Sequence, residues 1–154
     1  MQDHPIEIRR GDPRQAQARA LLEASHALMQ TLFPPEDNHY LSIDALCAPD
    51  IRFFVAEADG VVLGTIALSH ARGYGEVKSM FVDTAARGRG VARALLAHVE
   101  DCARSSGIAV LRLETGHLLT AAVALYTAQG FAPCGPFGAY TANATSLFME
   151  KRLG

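Results

Sequence analysis

Glu76-Val77-Lys78-Ser79-Met80-Phe81-Val82, followed shortly by Arg87-Gly88-Arg89-Gly90-Val91-Ala92, is the stretch that decides the fold. The first run reads as a strand. The second reads as a loop rich in glycine and arginine that becomes the first turn of a helix. In that helix Val91, Leu95, Val99 and Cys102 share one face, while Arg93, Glu100, Asp101 and Arg104 point elsewhere. Helix starts leave backbone N–H groups without intrahelical partners and carry partial positive charge. Gly88 and Gly90 have no Cβ to block close approach, and Arg87, Arg89 and Arg93 add full charges. A loop built this way is a cradle for pyrophosphate. The chain is expected to bind a phosphorylated cofactor and to do chemistry beside it.

Downstream of the cradle helix, Gly107 suits a C-terminal cap, and Ile108 to Thr115 alternates as a strand. Thr120 to Gln129 reads as a short alanine-rich helix ended by Gly130-Phe131. Pro133 to Ser146 reads as a long loop and Leu147 to Arg152 as a last strand. Upstream, Phe53 to Ala58 and Val61 to Leu68 flank Asp59-Gly60, a strong hairpin signal, and a loop around Gly73-Tyr74-Gly75 leads to the strand ending at Val82. Nearer the start, Ile6 to Arg9 reads as a strand. Asp12 is placed to cap a helix with Pro13 at its first position, and Leu21, Leu22, Ser25, Leu28, Met29 and Leu32 give that helix a mostly apolar face. Pro34-Pro35 stops it, and 36–50 reads as irregular. Strand, helix, meander, then alternating strands and helices make an α/β sheet of mixed direction. The strands ending at Val82 and Thr115 form a parallel pair that brackets the cradle helix.

Length and composition set bounds. A chain of 154 residues fits one domain over 1–154, and 49% hydrophobic with 19% charged residues is the balance of a soluble globular protein. A net charge of −2 argues against a nucleic-acid binder held by a broad basic surface. No stretch reaches the roughly 20 apolar residues that a membrane span needs. The six histidines show no paired ligand spacing, so no metal site is expected. Cys47, Cys102 and Cys134 are odd in number and scattered, as for reduced thiols in the cytoplasm.

Two familiar phosphate motifs do not fit. A P-loop needs lysine and a hydroxyl after its last glycine, where Val91 and Ala92 stand. The dinucleotide fingerprint needs a small residue where Arg93 stands. The chain instead resembles the GNAT superfamily of acyl-CoA-dependent N-acyltransferases over nearly its whole length. Arg87-Gly88-Arg89-Gly90-Val91-Ala92 matches that family's Q/R-x-x-G-x-G/A signature. Ala122-Val123-Ala124-Leu125-Tyr126-Thr127-Ala128-Gln129-Gly130-Phe131 matches its A-x-x-L-Y-x-x-x-G-F.

The resemblance implies a single-domain GNAT fold whose fourth and fifth strands splay apart, with the thioester of acetyl-CoA in the gap. It implies that Met80, Phe81 and Val82 pair through their backbone with the pantetheine arm. The amides of Arg87, Gly88, Arg89, Gly90, Val91 and Ala92, with Arg93 adding charge, would hold the pyrophosphate. Tyr126 matches the tyrosine that protonates the departing thiolate, and a phenol is protonated at neutral pH, ready to donate. Without the motif, a buried aromatic with a satisfied hydroxyl would be the commoner reading of Tyr126. An amine attacks only when uncharged, so a base is needed. Glu114, twelve residues before Tyr126, ranks first, because family members that acetylate protein N-termini carry a glutamate at that spacing. Glu76, heading the fourth strand beside Lys78, ranks second. One departure stands out: Leu119 occupies a position where the family commonly has asparagine. His117, His39, Tyr40, Asp44, Arg72, Tyr74 and Tyr140 fall in segments where the family builds its acceptor pocket, and the sequence assigns them no role.

These readings converge on a cytoplasmic N-acetyltransferase that uses acetyl-CoA and no metal. Its acceptor is expected to be a small amine or amino-acid-like metabolite, attacking directly in a ternary complex. No cysteine sits in a nucleophile motif, which disfavours an acyl-enzyme. Acetylation of a protein N-terminus or lysine is the second enzymatic reading, and a non-catalytic acyl-CoA sensor the reading from another class. No nucleic-acid or membrane partner is expected. A homodimer is open.

Overall fold

A computed structural model describes residues 5–154. Seven strands form one sheet in the order β1-β2-β3-β4-β5-β7-β6. They are β1 (Glu7–Arg10), β2 (Ile51–Ala58), β3 (Val61–Ala71), β4 (Tyr74–Val82), β5 (Val110–Gly116), β6 (Ala132–Cys134) and β7 (Ser146–Arg152). The helices are α1 (Ala16–Leu32), α2 (Val91–Ser105) and α3 (Thr120–Ala128). All neighbouring pairs are antiparallel except β4 and β5.

Alternation along β2 shows why helices cover both faces. Ile51, Phe53 and Val55 pack with Leu21 and Leu22 of α1, while Phe54, Ala56 and Ala58 join Leu95, Leu96 and Val99 of α2. Glu100 of α2 is buried and accepts from Lys151 Nζ of β7 at 2.6 Å, which ties the cradle helix to the far strands. The β2–β3 turn has positive φ at both Asp59 (52°) and Gly60 (77°), the geometry that matches strand twist in a two-residue hairpin.

Several expected boundaries move. α1 starts at Ala16, not Pro13, because the Asp12 carboxylate accepts from the Arg14 amide and closes a turn there. Gln15 is the cap, its side chain accepting from the Ala18 amide at 3.0 Å. β3 runs on to Ala71, and Tyr74 and Gly75 belong to β4 rather than to the preceding loop. Pro133 and Cys134, expected in a loop, join Ala132 in an edge strand on β7. Pro133 is tolerated there because edge strands leave amides unpaired. The cap at Gly107 is as expected, with φ of 76°.

One irregularity positions the site. β4 and β5 pair only at Gly75↔Leu111 and Glu76↔Arg112. Just beyond, the β3–β4 register shifts between Thr65 and Ala67, and Ser79 adopts φ of 55°. Thr65 Oγ1 donates to the Ser79 carbonyl at 2.8 Å and holds this bulge. Bulges bend the strand that carries them. Here β4 parts from β5, and a gap opens between the two parallel strands.

Candidate active site

The gap is a cavity of about 120 Å³. β4 lines it from Val77 to Met80 and β5 from Glu114 to Gly116, α3 contributes Tyr126, Met29 comes from α1 and Phe33 from the residue just after it. Gly116 must be glycine, since a Cβ there would lie 2.2 Å from Phe33 Cζ. Tyr126 is 6% exposed, and its hydroxyl donates to the Met80 sulfur at 3.8 Å, a weak acceptor. Burial pushes its pKa well above the ordinary 10.

Glu114 Oε2 accepts from Ser146 Oγ at 2.7 Å and lies 2.9 Å from His39 Nδ1. Thus the carboxylate expected as base and the expected acid face one cavity. Glu76 does not line it. That carboxylate lies in a neighbouring cavity of about 520 Å³, accepts from the Tyr140 hydroxyl at 2.5 Å, and sits 3.4 Å from Lys78 Nζ. Lys78 also donates to the Tyr140 hydroxyl and to the His39 carbonyl. Burial first, then the Glu76 carboxylate, push the Tyr140 phenol up, so it stays a donor. Ser146 had no signal in the sequence, because it reaches Glu114 only through the pairing of β5 with β7. Lys78 and Tyr140 stood in segments of interest, but nothing local joined Tyr140 to Lys78 and Glu76.

From the gap, β4 leads past Phe81 and Val82, which pair with Thr65 and Gly64 of β3, to the glycine-arginine loop. Gly88 and Gly90 take φ of 83° and 78°, and a Cβ at either would meet nothing within 4 Å. No side chain of Gly90 or its neighbours caps α2. Among the described residues Arg87, Arg89 and Arg93 form no ion pair. Open amides, unpaired cations and space in front of two left-handed glycines fit a pyrophosphate. Ser79 Oγ, buried without a partner at the cavity wall, fits a ligand reaching from that loop into the gap. The described residues hold no group of histidine, cysteine and carboxylate side chains able to bind a metal, and no helix among them is long and apolar enough to cross a membrane.

Residues 18–131 match the Acetyltransferase (GNAT) family. The chain belongs to that family. It is an acetyl-CoA-dependent GNAT N-acetyltransferase. Over 150 residues it is 46% identical to a protein named IAA acetyltransferase from Azospirillum brasilense, covering 96% of this chain and 98% of that one. An uncharacterized N-acetyltransferase of Bacillus subtilis, YsnE, is 35% identical over 128 residues, covering 81% of this chain and 85% of its own. A solved acyl-CoA N-acyltransferase-class structure from Klebsiella pneumoniae superposes with a TM-score of 0.81 at 31% identity, covering 97% and 98% of the two chains. The splayed strands of this GNAT enzyme thus have counterparts of known fold.

α1 carries a pH-sensitive contact at the cavity rim. His26 stacks on Tyr40 with centroids 4.1 Å apart, and its Nε2 is buried without a partner. Burial lowers its pKa below the ordinary 6.5. The unfolded chain therefore takes up a proton near that pH while the folded chain resists it. The contribution is present above about pH 6.5 and fades as pH falls. The melting temperature of the wild type is expected to fall more steeply below about pH 6.5 than that of His26→Phe, read by thermal scans across that window.

Proposed function

We propose that this enzyme acetylates the primary amine of a small, amino-acid-like or cationic metabolite, by direct attack on acetyl-CoA in a ternary complex. The carrying observation is that Glu114 and Tyr126 face a single narrow cavity at the strand gap. The acceptor side is narrowed by polar contacts that tie its segments together, Thr145 Oγ1 donating to Asp37 at 2.7 Å and Lys78 to the His39 carbonyl at 3.0 Å. A cavity this narrow favours a small molecule over a protein chain. Asp37 and Glu114 place two carboxylates on its wall and favour a cation.

In this reading the proton of the incoming ammonium leaves toward Glu114. Tyr126 holds the proton that the departing sulfur needs, the Gly88–Ala92 amides hold the pyrophosphate while the Arg87 amide turns back to the Thr84 carbonyl, and Met80 to Val82 orient the arm. Glu76 is occupied by Tyr140 and Lys78, which supports Glu114 as first choice. Cys47, Cys102 and Cys134 lie outside the cavity lining, in keeping with direct attack. Three free thiols also suit a reducing, cytoplasmic setting.

The test is release of free coenzyme A from acetyl-CoA against amino acids, alkylamines, polyamines, aminoglycosides, short peptides and IAA. Turnover with a small amine is expected, and Glu114→Gln is expected to lower kcat/KM by about 100-fold. Turnover with peptides alone, or with no acceptor, would overturn the small-amine reading.

A further inference from the structure

The most densely wired cluster with no role in the family motifs lies where the segment after α1 crosses the sheet. His39 Nδ1 sits 2.9 Å from Glu114 Oε2, although the two are 75 residues apart. Ser146 Oγ accepts from Asn143 Nδ2 at 2.9 Å and donates to that same carboxylate oxygen at 2.7 Å. An ionised carboxylate only accepts, so this arrangement places the imidazole proton on Nδ1. In the neutral imidazole Nε2 then carries the lone pair, and among the described residues it has no hydrogen-bond partner.

The ring is held from several sides. Lys78 Nζ donates to its carbonyl, and Tyr140 meets it edge-on with centroids 5.3 Å apart. His39 lines both the cavity that holds Tyr126 and the larger one beside it, so it stands at the seam between them. The charged and titratable groups around it are Glu114 from β5, Lys78 and Glu76 from β4, Tyr140 from the segment before β7, and Asp37 on its own side. His26 of α1 lies against the adjacent Tyr40. Lys78 and Glu76 balance each other, and Asp37 is engaged by Thr145. Glu114 is the charge that acts on the imidazole directly.

We propose that His39 Nε2 is the atom that takes the proton from the acceptor ammonium, while Glu114 holds the ring in the tautomer that leaves Nε2 free. This rests on the reading that the proton leaves toward Glu114, and it moves the accepting atom one residue outward. The ammonium N–H bond breaks and its electron pair stays on nitrogen, giving the neutral nucleophile. The proton bonds to Nε2, and the imidazolium faces the Glu114 carboxylate until the proton passes to solvent. The same division of labour, a carboxylate orienting an imidazole base, serves hydrolytic triads on unrelated folds.

His39→Asn tests it, because the Asn Nδ2–H replaces the Nδ1–H donor while Nε2 is lost with the ring, whose one aromatic contact is the edge-on one with Tyr140. With the fastest amine of the panel as acceptor, kcat/KM is expected to fall about 100-fold. Added imidazole should restore rate in proportion to its concentration, with acetyl-CoA affinity unchanged and the melting temperature within about 2 °C of that of His39→Gln, which loses the same ring contact. The double variant with Glu114→Gln should lose no more than either single one, as groups that act as a unit do. A loss without imidazole rescue marks a structural role and overturns the proposal. If His39→Asn stays within about threefold of wild type while Glu114→Gln loses its activity, Glu114 acts directly and only this proposal falls. If Glu114→Gln also runs at full rate, or the panel yields no acceptor, the proposed function falls with it.

Discussion

Tyr126→Phe is expected to bind acetyl-CoA as the wild type does and to turn over about 100-fold more slowly. The tyrosine ring is core. It is 6% exposed and packs edge-on to Phe131 with centroids 5.7 Å apart. Phenylalanine fills the same volume, so the substitution removes one O–H whose partner is a thioether sulfur. Stability should change by about 1 kcal/mol or less. A purely structural tyrosine would therefore leave both melting temperature and kcat nearly unchanged. An acid cannot be removed so quietly. Burial raises the phenol pKa above its ordinary 10, so the proton stays on oxygen throughout the working pH range. The same desolvation disfavours a thiolate in that cavity, so donor and acceptor rise together and transfer remains feasible. Steady-state kcat and acetyl-CoA affinity, measured on both forms, decide the matter. A kcat within about twofold of wild type would remove Tyr126 from the chemistry.

What the sequence made legible was local. The glycine-arginine loop, the α2 stripe, the Asp59-Gly60 hairpin and the Gly107 cap each rest on a few adjacent residues whose backbone demands are strong. The misplaced boundaries have local competitors: Asp12 serves a turn better than a helix cap, and a three-residue strand such as Ala132–Cys134 is too short to alternate. The bulge at Ser79 was invisible because positive φ there falls on serine, not glycine, and is held by a hydroxyl from β3. In the site, the motif carried Tyr126, and its spacing to Glu114 carried the carboxylate. Glu76, a glutamate on the neighbouring strand, ranked second from the sequence. Only side-chain placement showed it committed to Tyr140 and Lys78 in the next cavity. His39 lay in a segment without periodicity. Its contact with Glu114 depends on how the chain after α1 crosses the sheet, which no local pattern encodes.

Gly90→Val is expected to weaken acetyl-CoA binding by at least about 100-fold while the protein still folds. Gly90 takes φ of 78° at the cap of α2, a conformation costing an L-residue roughly 1–2 kcal/mol, and a β-branched one more. A Cβ there meets nothing within 4 Å, so the substitution clashes with no part of the protein. Its cost to the free enzyme is strain alone, visible as a modest drop in melting temperature. Binding suffers differently. The methyl groups would occupy the space in front of the uncapped helix, and relief of the strain would turn the first amides of α2 away from the pyrophosphate. Each charge-assisted hydrogen bond lost is worth about 1.5–3 kcal/mol, so losing two is enough for the expected change. Gly60 supplies a matched control, with φ of 77°, no atom within 4 Å of a Cβ, and a position on the β2–β3 hairpin. Gly60→Val should lower the melting temperature similarly and leave the dissociation constant alone. Calorimetric titration of both variants with acetyl-CoA separates strain from cradle. Equal affinities in the two would mean that the pyrophosphate sits elsewhere.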